Sequence, residues 1–81
     1  MKKDTDPFRI DVFKHSRRTR VVAELPGFHE EDIRLDLIDD LLSIFATHGN
    51  KACYRIVTLG RNTEKIIGKV FNGSILEVTL C

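Results

Sequence analysis

Apolar residues recur at every second position along most of this chain, in short runs that never lengthen into a helical period. "DIRLDLI" carries Ile33, Leu35 and Leu37 on one side and charged residues on the other. "SILEVTL" repeats the pattern with Leu76, Val78 and Leu80. A spacing of two belongs to a strand with one buried face, because successive side chains leave a strand on opposite sides. "FRIDVFKH" sets Phe8, Ile10 and Val12 in phase, with Phe13 breaking the alternation, and "RTRVVAEL" sets Val21, Ala23 and Leu25. "LLSIFA" aligns Leu42, Ile44 and Ala46, while "CYRIVTLG" opposes Tyr54 and Ile56 to Cys53, Val57 and Leu59. "KIIGKVF" completes the set. Turn chemistry separates the runs at Pro26-Gly27, Asp39-Asp40, His48-Gly49-Asn50, Gly60-Arg61-Asn62 and Asn72-Gly73.

Short strands with such punctuation predict an all-β, immunoglobulin-like antiparallel β-sandwich of about seven strands. One sheet is expected to hold segments 8–14, 20–25, 66–72 and 75–80, and the other 33–38, 42–47 and 53–59. The expected core is Val21, Ala23, Leu25, Ile33, Leu35, Leu37, Leu42, Ile44, Ile56, Leu76 and Val78. Only the start of "HEEDIRLDLI" suits a turn of helix, with acidic residues at its positive end. Pro26 lacks an amide proton, so strand pairing stops at Leu25-Pro26-Gly27 and the chain leaves one sheet for the other.

The chain has 81 residues, which make one domain. Residues 1–7 read as a flexible polar N-terminus and residues 8–81 as the domain. A fold this small buries roughly 60% of its unfolded surface, which leaves little for a deep active site. The net charge of +1 lacks the field of a nucleic-acid binder. No apolar run approaches the about 20 residues that span a bilayer, and no hydrophobic segment follows Met1-Lys2-Lys3. Cys53 and Cys81 have no metal-ligand spacing and read as free thiols of a cytoplasmic protein.

Chemistry-bearing motifs are absent from the sequence. Ser16, Ser43 and Ser74 lie in no nucleophile-elbow context, and no glycine-rich loop precedes a helix. His15, His29 and His48 read as solvated turn residues, with no metal site among them. Adjacent exposed carboxylates such as Glu30, Glu31 and Asp32 are poor general acids at neutral pH. Neither an enzyme nor a cofactor is therefore expected. Lys14, Arg17, Arg18 and Arg20 form a basic run without interleaved aromatic residues, better suited to a solvated hairpin than to stacked bases. Val22, Phe45, Ile67 and Phe71 fall out of phase with their core faces. They either cap the ends of the sandwich or form exposed contact surfaces.

"VVAELPGFHEEDIRLDLIDDLLSIFA" resembles the first half of the α-crystallin domain of small heat-shock proteins. There an E-L-P-G turn precedes an acidic D-I start and a strand pair ending in L-x-I. "GKVFNGSI" is similar to the family's A-x-x-x-N-G-x-L motif, with Gly68 at the Ala position, Asn72-Gly73 matching and Ile75 at the Leu position. "LEVTL" resembles the closing strand but lies one residue late, as a bulge would make it. The resemblance covers about residues 8–80.

Departures from the family accompany the match. The family's long loop with its extra strand is reduced to Thr47–Ala52, enough only for a hairpin. The N-terminal arm is short, and no I-x-I anchor lies within the sequence. CS-domain co-chaperones share the sandwich without the extra strand and dock on other chaperones as monomers. A crystallin-like domain without the loop is also appended to some anion-pump ATPases.

The resemblance implies an ATP-independent chaperone, a holdase that binds unfolding proteins in an apolar groove between the sheets. The alternative is a CS-like adaptor docking a partner's tail. The implied groove residues are Ile33, Leu35 and Leu37 on one edge and Ile66, Ile67 and Val70 on the other. The chain is expected to be a monomer or weak dimer, the dimer using edge residues Phe8, Ile10 and Val12. No nucleic-acid or membrane partner is implied.

Overall fold

The structure, a computed structural model, describes residues 9–60 and 65–81. Seven strands follow one another: β1 (Ile10–Lys14), β2 (Thr19–Glu24), β3 (Ile33–Ile38), β4 (Leu41–His48), β5 (Lys51–Thr58), β6 (Ile66–Asn72) and β7 (Ile75–Leu80). A single 3-10 turn, Glu30–Asp32, precedes β3, where the acidic residues suggested one. One sheet has the order β1-β2-β7-β6 and the other β3-β4-β5. Every pairing is antiparallel. The division of segments between the two sheets is the one expected.

Pairing partners point to the same side of a sheet, so the registers sort the side chains into rows. In the first sheet, Ile10–Ala23–Leu76–Phe71, Val12–Val21–Val78–Lys69 and Lys14–Thr19–Leu80–Ile66 face inward. In the second, the inward rows are Leu37–Leu42–Val57, Leu35–Ile44–Arg55 and Ile33–Ala46–Cys53. The core between them holds Val21, Ala23, Leu25, Phe28, Ile33, Leu42, Ile44, Ala46, Val57, Leu59, Leu76, Val78 and Leu80. Thr19 is the one polar residue buried among them on the described residues, and its hydroxyl finds no hydrogen-bond partner there.

One expected core residue is misplaced. Ile56 is 52% exposed, because it pairs with Ser43 on the outer face of the second sheet. β5 carries apolar residues on both faces, and the buried set is Val57 with Leu59 beyond it. Leu35 and Leu37 are half-buried at the core's margin.

The Leu25-Pro26-Gly27 break works as its chemistry requires. The Leu25 N–H donates to the Ser74 carbonyl at 2.7 Å, beyond the end of β2, and the Phe28 N–H donates back to the Leu25 carbonyl at 3.3 Å. Gly27 has φ +88°, and the Lys51 ammonium fills the space a side chain there would take. Phe28 turns back into the core, and Lys51 lies 5.6 Å from its ring centre. Between β4 and β5 the loop is only Gly49-Asn50, because His48 still pairs with Lys51. Gly49 supplies the positive φ of +62° at the first turn position. A bulge is present near the chain end, but on β6, between Ile66 and Gly68, and not on β7. Cys53 and Cys81 are free thiols.

Candidate functional site

The strand orders leave four edges, β1, β6, β3 and β5. Lys14, at the end of β1, reaches over Gly60 just past β5, so β1 and β5 share one flank. β3 and β6 then share the other. Each presents a line of backbone donors and acceptors that no described strand takes up. Between these two edges the inward rows end on Leu35, Leu37, Ile66 and Phe71, all half-buried against the core. Lys69 shares the inward register of β6 but stays exposed.

The implied groove residues separate on this geometry. Leu35, Leu37 and Ile66 line the strip, and Ile33 lies deeper, buried in the core. Ile67 falls at the bulge and is exposed. Val70 pairs with Glu77, whose neighbours Leu76 and Val78 point inward, so Val70 stands on the outer face at 58% exposure. The bulge explains the slip: it moves the alternation of β6 by one residue. Lys69 and Phe71 take the inward places that an even alternation from Ile66 would give to Gly68 and Val70. A signal for them existed in the Asn72-Gly73 turn, which sets Phe71 opposite Leu76.

On the opposite flank, β1 is an edge strand, but Ile10 and Val12 point inward and pack on the core. Any contact there would run through the β1 backbone. Phe8, the third residue of that expected contact, lies outside the described residues.

Two features at the ends of the sandwich were invisible in the sequence. Asp32 accepts the His29 backbone N–H at 2.8 Å and meets His48 Nδ1 at 3.0 Å. The two imidazole rings lie 5.0 Å apart, which ties the 3-10 turn to the tip of the β4–β5 hairpin. Among the described residues no group of three or more His, Cys, Asp and Glu is arranged to hold a metal ion. Arg20 of the basic run lies over the Phe13 ring at 5.2 Å and meets Glu77 at 3.3 Å, so it is committed to the outer face of the first sheet. No described helix is long and apolar enough to cross a membrane.

No family model matches the chain, and a search of curated proteins finds no match either. Solved structures do match. Heat shock protein 16.0 from Schizosaccharomyces pombe superimposes with a TM-score of 0.79 at 24% identity, over 94% of this chain and 86% of its own. An hsp14.1 variant from Sulfolobus solfatataricus P2 gives 0.79 at 19% identity, over 91% of this chain and 76% of its own. A C-terminally truncated form of the small heat shock protein AgsA from Salmonella typhimurium gives 0.75 at 14% identity, over 93% and 86%. Matches this complete, to three proteins so named, agree with the motifs around Pro26-Gly27 and Asn72-Gly73, and the chain therefore has the α-crystallin-domain fold of small heat-shock proteins.

Proposed function

We propose that this chain is an ATP-independent holdase that takes extended apolar segments of unfolding proteins between β3 and β6. The observation that carries the reading is the pairing of two free strand edges with the apolar strip Leu35, Leu37, Ile66 and Phe71. An extended segment can add backbone hydrogen bonds along such an edge and place alternate side chains on the strip. Burying two aliphatic side chains contributes roughly 3–6 kcal/mol before the cost of ordering the segment, so binding is weak and reversible. Weak binding suits a protein that holds and releases. The sequence offers no site for nucleotide hydrolysis, and the mechanism needs none. The free thiols Cys53 and Cys81 suit a reducing cytoplasm.

A second reading rests on the two-residue β4–β5 loop, which has no room for the extra strand of the family. In that reading the same strip docks the tail of one partner, as CS-domain adaptors do. One experiment separates the two. Leu37→Ser with Phe71→Ser should abolish suppression of a client's aggregation, read by light scattering, while Val70→Ser should leave it intact. Equal protection by both variants would move the working surface elsewhere. No protection by the parent chain, with saturable binding of one partner peptide, would favour the adaptor.

A further inference from the structure

The outer face of the second sheet carries an apolar surface that the groove does not use. Five of the nine large apolar side chains that stand exposed among the described residues lie there: Ile38, Leu41, Phe45, Tyr54 and Ile56. The registers arrange this face in rows, Ile38–Leu41–Thr58, Asp36–Ser43–Ile56 and Arg34–Phe45–Tyr54, with Thr47–Ala52 beyond. Phe45 and Tyr54 stack edge to face with centroids 5.9 Å apart, forming one stiff aromatic ridge. The only charges in these rows are Arg34 and Asp36, opposite in sign and two residues apart on β3.

We infer that this face docks on the same face of a second copy of the chain. The argument is self-complementarity. A two-fold axis between the two copies' sheets, perpendicular to the strands at the level of Leu35–Ile44–Arg55, lays the Asp36–Ser43–Ile56 row on the second copy's Arg34–Phe45–Tyr54 row, and Leu41 and Thr58 on its Thr47–Ala52 row. Arg34 then meets the second copy's Asp36 twice over. Phe45 sits above the second copy's Ser43, a small half-buried residue flanked by larger ones. Tyr54 covers Ile56, and Leu41 covers Thr47. One charge of each sign gives the face no net attraction for a uniformly acidic or basic partner, and suits a copy of itself. Strand spacing and rise give a footprint of about 14 by 27 Å. That is smaller than the about 800 Å² per partner of a standard interface, so the dimer forms only in the micromolar range or above.

Sedimentation velocity of the full chain over roughly 1–500 μM tests this. The parent should pass from monomer to dimer within that range. Arg34→Asp and Asp36→Arg should each raise the dimer Kd at least about tenfold, and the double exchange should restore it, because the inverted pair is again complementary. Phe45→Lys should leave a monomer with an unchanged circular dichroism spectrum. If that variant fails to fold, the charge exchange decides alone. A parent that stays monomeric throughout, or a dimer that survives both single exchanges, overturns the proposal. The second outcome would assign dimerisation to a strand edge such as β1.

Discussion

Thr19 stands fully buried in the inward row between Lys14 and Leu80, and no described group receives its hydroxyl. A desolvated hydroxyl without a partner costs on the order of 1–3 kcal/mol, and valine has nearly the same shape without it. Thr19→Val should therefore stabilise the fold by about 1 kcal/mol, raising Tm by roughly 4–8 °C in a thermal melt. An unchanged or lower Tm would mean that the hydroxyl is satisfied in solution. Single residues were also the hardest scale to read in sequence. Ile56 sits where both alternating sets of β5 are apolar, so periodicity alone cannot choose between Ile56 and Val57. Asp32, His29 and His48 meet only because the β3–β4–β5 meander brings the hairpin tip beside the 3-10 turn. No local pattern announces that.

The elements themselves were legible where a residue's chemistry forces the backbone. Pro26 ends β2, Gly49 and Asn50 close a hairpin, and the run Ile33-Leu35-Leu37 is a strand with one side inward. Gly27 makes the same case energetically. With φ +88° and the Lys51 ammonium against it, a methyl group there meets both an unfavourable backbone region and an occupied site. Gly27→Ala should cost about 1–2 kcal/mol, seen as a lower urea midpoint at unchanged slope. A neutral result would show that the turn relaxes and Lys51 swings away. β6 was the element that misled. Its bulge leaves the apolar residues in place but reverses which of them point inward, and Gly68 gives no side chain to mark the change. The candidate site was therefore half legible: the β3 side followed from alternation, and the β6 side required the register with β7.

At the scale of the molecule, the segregation of the strands into two sheets follows from turn chemistry. Hairpins β3–β4, β4–β5 and β6–β7 have two-residue loops, which oblige their strands to be neighbours. The pairing of β2 with β7, far apart in sequence, has no local signal; only the placing of both segments in one sheet was expected. That asymmetry has a kinetic consequence. The β3–β4–β5 sheet needs only contacts between successive strands, whereas the β1-β2-β7-β6 sheet cannot close until Thr19 meets Leu80. Closing so long a loop is entropically slow, so the three-stranded meander should be structured in the transition state and the β2–β7 seam should form late. Stopped-flow chevrons would then show Ala46→Gly slowing refolding and Val78→Ala chiefly accelerating unfolding. The reverse pattern would place the nucleus in the four-stranded sheet. Until the seam closes, β7 and the edge of β2 remain unsatisfied, and the nascent chain is itself a candidate for protection from aggregation.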